Sequence, residues 1–151
     1  SLIKESDAAF KRLVDYFSNV YEPTIILMFG DHQPTDMAIA GLLDQLKYAP
    51  NNLKDFEKQY ITDFALWTNY DIEEDYVEAT SCNYLSLLLM KYAGIPLSSY
   101  QNYLLDVQSK YPVVTANCII DRGGNYIPSF NYKDIDDLNT YSKIQYYQFF
   151  E

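Results

Sequence analysis

Residues 23–34 read PTIILMFGDHQP, an uncharged apolar run that gives way to polar residues at its end. Residues 24–29 are apolar or β-favouring and show no polar alternation. A run this short predicts a strand covered on both faces, as in a parallel sheet, rather than a buried helix. In open α/β sheets, ligands bind beyond the carboxyl ends of the strands. The sequence therefore places Asp31 and the chain's single histidine, His32, where chemistry is normally done.

Asp31 and His32 offer a hard oxygen and a borderline nitrogen to a divalent cation such as Mn²⁺ or Zn²⁺. The same pair, followed by Gln-Pro, also fits an N-cap and a turn that leads into the next helix. A catalytic zinc-type site uses about three protein ligands and an open position. Asp31 and His32 are therefore predicted to supply two metal ligands, and a complete site needs at least one more from another part of the protein. Only if this chain completes a metal site by itself would the remaining ligands be sought among three acidic residues: Asp36, Asp71 and Glu73.

A second uncharged run, FALWT at residues 64–68, predicts another buried strand. We expect the two strands to lie in one parallel sheet. Residues 113–120, a turn at 121–124 and a short strand near 126–127 predict an antiparallel hairpin. Apolar spacings of three and four residues predict helices between and after these strands. The predicted helices cover residues 6–19, 37–46, 85–92, 98–111 and 138–150. Gly94 is expected to stop the third helix. A capping box at Ser98 is expected to open the fourth, which Pro112 ends.

These elements predict an α/β chain organised as one unit, since 151 residues can bury one reasonable core. Residues 1–111 are expected to form an α/β part. Residues 112–151 are expected to form a C-terminal α+β subdomain that contains the hairpin and the last helix. Residues 47–59 are polar and predict a solvated loop with at most one helical turn.

The chain is strongly acidic, with a formal net charge of −10 at pH 7. Such a surface repels phosphate backbones and offers no basic patch to anionic lipids. Nucleic-acid binding and electrostatic docking on a membrane are therefore not expected. No apolar run approaches the roughly 20 residues of a membrane span, and no signal-peptide pattern opens the chain.

Cysteines, acidic residues and tyrosines carry weaker signals. Cys82 and Cys118 lack CxxC spacing, which leaves two buried free thiols as the favoured interpretation and a disulfide as the alternative. Residues 71–75 read DIEED without a glycine turn or EF-hand spacing, which favours a solvated loop over a cation site. The 16 tyrosines are expected mainly in the core, although tyrosine-rich surfaces also suit sugar contacts.

Four ordered blocks of this sequence resemble one enzyme family. Residues 29–34, FGDHQP, resemble the metal-binding strand end of lipoteichoic acid synthase-type phosphoglycerol transferases. These enzymes belong to the sulfatase-like group of the alkaline phosphatase superfamily. Three later blocks agree in order: LWTNYDI at 66–72, SCNYL at 81–85 and YSKIQY at 141–146. The resemblance implies part of a sulfatase-like sheet, with parallel strands near 24–29 and 64–68 and flanking helices.

The resemblance also implies a reaction. Such enzymes are anchored in the bacterial cell membrane, with the catalytic domain on its extracellular face. They use a Thr nucleophile at one divalent metal ion, commonly Mn²⁺ or Mg²⁺, with Zn²⁺ as an alternative. The head group of a phospholipid donor passes to the Thr and then to a glycerophosphate polymer or a glycan acceptor. By this match, Asp31 and His32 are two of the metal ligands.

The sequence also departs from the family pattern. The family's nucleophile, its first acidic ligand and its substrate-binding His, Arg and Trp all lie upstream of the matching region. We therefore expect this chain to be the C-terminal portion of a larger catalytic domain, to contain no catalytic nucleophile and to be inactive alone. Membrane contact is expected only through segments upstream of it. Asp63 stands where the family pattern has a proline, which is expected to alter a loop rather than the chemistry.

Two rival interpretations remain open. The chain could belong to another member of the superfamily: a sulfatase, a phosphoethanolamine transferase or a phosphodiesterase. It could also be a non-catalytic, acidic and tyrosine-rich module that binds cell-wall glycans or a partner protein.

Overall fold

The computed structural model describes residues 2–33 and 49–150 of the chain. Its helices are α1 (Leu2–Phe17), α2 (Leu53–Glu57), α3 (Leu85–Tyr92), α4 (Ser99–Lys110) and α5 (Asp136–Phe150). Its strands are β1 (Ile25–Phe29), β2 (Phe64–Thr68), β3 (Val113–Val114), β4 (Cys118–Ile120) and β5 (Tyr126–Pro128). Short 3₁₀ segments follow α2 at Lys58–Tyr60, precede α3 at Cys82–Tyr84 and precede α5 at Ser129–Asp134. The helix predicted at 37–46 lies outside the described residues.

The predicted mixed α/β class with a C-terminal hairpin and helix is confirmed, but the predicted parallel pairing of the first two strands is wrong. β1 and β2 are antiparallel, with Ile25 opposite Thr68 and Phe29 opposite Phe64. An uncharged apolar run identifies a strand but says nothing about its partner's direction. Burial on both faces was also wrong, since Met28 and Phe29 are 42% and 52% exposed.

The antiparallel direction separates the polar residues that follow the two strands. Asp31 and His32 follow the carboxyl end of β1, which lies beside the amino end of β2. Asn69 and Asp71 follow β2 at the opposite end of the two-stranded sheet. Residues that would have met at one edge of a parallel sheet therefore lie at opposite ends.

Asn69 joins the end of β2 to the connection between α1 and β1. Its Oδ1 atom accepts a hydrogen bond of 2.8 Å from the backbone N–H of Thr24. Its Nδ2 atom lies 2.9–3.1 Å from the carbonyl oxygens of Phe17, Val20 and Glu22. One side chain thus hydrogen-bonds to the last carbonyl group of α1 and to two carbonyl groups of the connection that follows it.

The hydrophobic core lies in the second half of the chain. Its buried members come from α3 and the 3₁₀ segment before it, α4, β4 and α5: Tyr84, Leu87, Leu104, Val107, Ile119, Leu138 and Tyr141. Burying an aliphatic or aromatic side chain of this size contributes about 1.5–3 kcal/mol. Packing among these segments therefore dominates the stability of the C-terminal part.

Local signals for α3 and α4 are confirmed. α3 is followed by Gly94 with a φ of 65°, a left-handed conformation that glycine adopts at low cost. α4 opens with the predicted capping box. Ser98 Oγ accepts from the backbone N–H of Gln101, and the Gln101 side chain accepts from the backbone N–H of Ser98.

The C-terminal sheet contains the predicted hairpin and one strand more. β4 and β5 pair antiparallel across the predicted turn. The segment 113–120, expected to be continuous, is split into β3 and β4, which also pair antiparallel. Thr115 Oγ1 forms the turn by accepting from the backbone N–H groups of Asn117 and Cys118 at 3.2 and 3.0 Å.

Both cysteines are free, as the favoured interpretation predicts, but only Cys118 is buried and Cys82 is exposed. Burial, and next the nearby Glu57 carboxylate, raise the pKa of the Cys118 thiol to about 11. Among the described residues, no helix is both long enough and apolar enough to cross a bilayer.

Candidate functional site

The end of β1 is held in place by residues 61–63. The Gly30 N–H donates to the Asp63 carbonyl at 3.1 Å, and the Thr62 hydroxyl donates to the Gly30 carbonyl at 3.0 Å. A Cβ atom at position 30 would lie 2.9 Å from the Cβ of Thr62, so this close approach requires glycine. The Gln33 side-chain amide donates to the carbonyl of Ile61. These contacts fix the backbone that carries Asp31 and His32.

Asp31 and His32 face each other at this strand end. Asp31 Oδ1 accepts from the His32 backbone N–H at 2.8 Å, and its Oδ2 lies 3.3 Å from His32 Nε2. His32 Nδ1 lies 2.8 Å from the Gln33 carbonyl oxygen. Because a carbonyl oxygen only accepts, Nδ1 carries the hydrogen, and in the neutral ring Nε2 presents a lone pair towards Asp31.

This arrangement fits part of a metal centre. A carboxylate oxygen and an imidazole nitrogen converge, and a backbone carbonyl orients the ring through its other nitrogen, as is common for metal-ligating histidines. The side chains are 83% and 70% exposed, so the pair is open to solvent on most of its surface. Two atoms with lone pairs at 3.3 Å can both face one cation.

The described residues bring no third ligand to the pair. Within residues 2–33 and 49–150, no three His, Cys, Asp or Glu side chains form a group that could hold a metal ion. Asp71 and Glu73, predicted as further candidates, do not join Asp31 and His32. Asp36 lies outside the described residues. Among the described residues, the pair therefore offers at most two potential ligands, which is fewer than a catalytic centre uses.

The acidic segment 71–75 has other contacts. Asp75 Oδ2 accepts from the Tyr92 hydroxyl at 3.1 Å and lies 3.8 Å from Lys91 Nζ. Tyr70 donates its hydroxyl hydrogen to the Tyr92 carbonyl at 2.9 Å. These contacts attach the segment to the end of α3. Its acidic side chains do not join Asp31 and His32 in a common metal site.

Two features were missed at the sequence level. Glu57, placed by the sequence in a solvated loop, is buried at the end of α2, and its Oε2 lies 3.4 Å from Thr115 Oγ1. A cleft of about 470 Å³ opens between Asn83, the β3–β4 turn, Ser129, Tyr132 and α5. The only local sequence signal for the cleft is the helical spacing of Tyr141, Ser142 and Gln145. Its other walls come from distant parts of the chain.

Comparison with known proteins gives one relative. The chain is 28% identical over 126 residues to a protein of Rhizobium meliloti (strain 1021) named "Putative cyclic beta-1,2-glucan modification protein". The match covers 81% of this chain but 20% of that protein, so the chain corresponds to a small part of the relative's length. No protein-family model and no solved structure matches the chain.

Proposed function

We propose that this chain is part of a metal-dependent transferase that modifies a glycan. In the proposed reaction, the phosphoglycerol head group of a phospholipid passes to a hydroxyl group of a glycan or of a glycerophosphate polymer. The bond between phosphorus and the diacylglycerol oxygen breaks, a bond to the acceptor oxygen forms, and diacylglycerol leaves with the proton of the acceptor hydroxyl. Asp31 and His32 contribute two ligands to one divalent metal ion. The observation that carries the proposal is the convergence of Asp31 Oδ2 and His32 Nε2 directly after β1, with Nδ1 held by a backbone carbonyl.

Two further observations support the reaction class. Residues 29–34 and three later blocks resemble phosphoglycerol transferases of the sulfatase-like group. The relative from Rhizobium meliloti is named for the modification of a cyclic β-1,2-glucan. Phosphoglycerol transfer to a glucan agrees with the four sequence blocks and with the name of this relative. A sulfatase would agree only with membership of the same superfamily.

The residues of this chain have distinct parts in the proposal. Gly30, Thr62 and Asp63 hold the strand end, and the Gln33 carbonyl fixes the orientation of the His32 ring. When bound, a divalent cation would polarise a phosphoryl oxygen and neutralise charge that develops on it. Mn²⁺ and Mg²⁺ are the proposed ions, because both suit a carboxylate ligand such as Asp31, and Zn²⁺ is the alternative because it suits an imidazole ligand such as His32. The proposal assigns no nucleophile to this chain and expects it to be inactive alone.

The proposed setting is the extracellular face of the bacterial cell membrane, where a phospholipid donor and a cell-envelope acceptor are both available. The strongly acidic chain is not proposed to bind the lipid surface itself. Contact with the bilayer is assigned to other segments of a longer protein.

The proposal is tested by a transfer assay with a protein that carries this chain within its complete reading frame. The donor is a phospholipid with a labelled phosphoglycerol head group, and the acceptor is cyclic β-1,2-glucan. Label should reach the glucan with Mn²⁺ and fail to do so with EDTA. His32→Ala should lower the rate by at least about 100-fold, since losing a metal ligand costs more than losing one of its supporting hydrogen bonds.

Asp7→Asn, which changes an exposed carboxylate on α1, is the matched control and should keep the rate. Release of free glycerophosphate into water without transfer would indicate a phosphodiesterase instead. Full activity of His32→Ala, or no reaction with Mn²⁺, Mg²⁺ or Zn²⁺, would overturn the proposal.

A further inference from the structure

The cleft of about 470 Å³ in the C-terminal part is built from four separate segments. These are the 3₁₀ segment at Asn83, the β3–β4 turn, the 3₁₀ segment Ser129–Asp134 and α5. Seven of its nine lining residues are polar and uncharged, and the other two are Val114 and Ala116. None of the nine carries a charge, although charged residues make up 21% of the chain.

One wall of the cleft has unused hydrogen-bonding groups. Ser142 and Gln145 are three residues apart on α5 and therefore lie on the same face of the helix. Neither their side chains nor that of Ser129 hydrogen-bond to another described residue. A hydroxyl group and a side-chain amide can each donate and accept hydrogen bonds. These three side chains can therefore bind both donors and acceptors on a ligand.

Hydrogen bonds among its own residues join another part of the cleft lining. Asn83 accepts from the Ser81 hydroxyl at 2.5 Å and donates to the Tyr141 hydroxyl at 3.2 Å. The Ser81 hydroxyl in turn accepts from the backbone N–H of Val114 at 3.0 Å. These bonds link three of the four segments before any ligand binds. A wall that is already ordered loses little conformational entropy on binding.

The hydroxyl group of Tyr132, one of the aromatic residues of the cleft, stays neutral. Burial, and to a smaller extent the neighbouring hydroxyls of Tyr141, Tyr103 and Tyr100, raise the pKa of Tyr132 to about 12. The Tyr132 hydroxyl is therefore protonated at physiological pH and remains a hydrogen-bond donor. Tyrosine also offers an apolar ring beside its polar group.

We propose that this cleft binds an uncharged segment of a glycan. Sugar hydroxyl groups need partners that both donate and accept, and the serine, amide and tyrosine side chains of the cleft supply them. An anionic ligand would meet no cation among the lining residues and an acidic chain around them. An apolar ligand would leave the hydroxyl and amide groups buried without partners, which costs free energy. The cleft is separate from Asp31 and His32, and only the choice of a glucan as probe rests on the proposed function.

The test is a titration of the complete ¹⁵N-labelled chain with unsubstituted cyclic β-1,2-glucan, followed by two-dimensional NMR. The side-chain amide signals of Asn83 and Gln145 report directly on the cleft. We expect saturable shifts of these signals and of Ser129 and Ser142. The dissociation constant should be on the order of 1 mM, since a shallow site makes few hydrogen bonds.

The double variant Ser142→Ala with Gln145→Ala removes two partner groups from a helix surface without touching the buried core. It should weaken binding about tenfold, the effect of two neutral hydrogen bonds. Ser86→Ala with Gln148→Ala is the matched control, since both residues are exposed on helices and neither lines the cleft. Backbone signals of the core residues establish that each variant is folded.

A roughly tenfold weaker titration of the Asn83 side-chain amide and the Ser129 signal in the cleft variant alone would support the proposal. No binding of the glucan, or equal binding by both double variants, would overturn it. Binding that requires a phosphoglycerol substituent on the glucan would also overturn it, because the cleft is assigned to uncharged sugar. Mn²⁺ and the His32→Ala substitution should leave the titration unchanged. A failed metal site with intact glucan binding would therefore contradict the proposed function and not this inference.

Discussion

The two halves of the described chain differ in how their apolar residues are covered. In the C-terminal part, Tyr84, Ile119 and Leu138 are completely buried in one cluster. In the N-terminal part, β1 and β2 form a two-stranded sheet whose Met28 and Phe29 are largely exposed. An isolated two-stranded sheet is marginal in water. Among the described residues, the buried core therefore lies in the C-terminal half, while Asp31 and His32, the candidate metal ligands, lie in the N-terminal half.

The largest effect is expected from the core. Leu138→Ala removes a completely buried side chain and should lower the free energy of unfolding by about 2–5 kcal/mol. Leu27→Ala in β1 should cost about 1 kcal/mol, because the surrounding sheet is only half buried and can relax. Urea denaturation measures both. Leu105→Ala, at an exposed position, is the control and should change the free energy of unfolding little. Equal losses for Leu138→Ala and Leu27→Ala would contradict the claim that the two halves differ in burial.

The next effect is expected at Asn69, which joins β2 to the α1–β1 connection. Asn69→Ala should lower the free energy of unfolding by about 1–3 kcal/mol, because the Thr24 N–H and the Val20 carbonyl lose the side chain that pairs with them. Hydrogen exchange should accelerate in residues 17–24 and stay unchanged in α4. Asn139→Ala, a partly buried asparagine without a side-chain hydrogen bond to a described residue, is the control. Faster exchange throughout the C-terminal core would show that the two halves unfold together.

A smaller, local effect is expected at Gly30. Gly30→Ala places a Cβ atom 2.9 Å from that of Thr62 and should cost about 1–2 kcal/mol. The signals of Asp31 and His32 should shift, since the substitution moves the backbone before them. Adding Thr62→Gly removes the opposing atom and should restore the signals in part. Unchanged signals in Gly30→Ala would contradict the close approach at the strand end.

The smallest effect is expected at the capping box of α4. Ser98→Ala removes one side-chain acceptor at an exposed helix start and should cost about 1 kcal/mol. Ser99→Ala, at the neighbouring exposed position, should be nearly neutral. A loss as large as that of Leu138→Ala would mean that helix capping, rather than burial, dominates the C-terminal half.

Sequence reasoning predicted what local patterns determine. Gly94, the Ser98 capping box and the turn at 121–124 each depend on a few neighbouring residues, and all three are confirmed. The direction of β2 against β1 depends on distant pairing, and no pattern within residues 24–29 encodes it. The same holds for Glu57, whose polar neighbours predicted exposure although it packs beside Thr115 and Cys118.

The two candidate sites also differ in whether a local sequence pattern predicts them. Asp31 and His32 are adjacent in sequence and follow the predicted strand at 24–29. This local pattern was sufficient to identify them as candidate metal ligands. The cleft joins Asn83, Thr115, Ser129 and Ser142, which lie on four separate segments. No single stretch of sequence contains its pattern. The assignment of Asp31 and His32 as metal ligands stays a prediction.

The most direct test of that assignment is a Mn²⁺ titration of this chain followed by NMR, since the paramagnetic ion broadens signals near its site. We predict weak binding, with broadening centred on residues 30–33 and absent in His32→Ala and Asp31→Asn but retained in Asp7→Asn. Broadening spread over the acidic segment 71–75, or unchanged in His32→Ala, would contradict the account. Micromolar affinity would contradict the claim that the pair is only part of a ligand set.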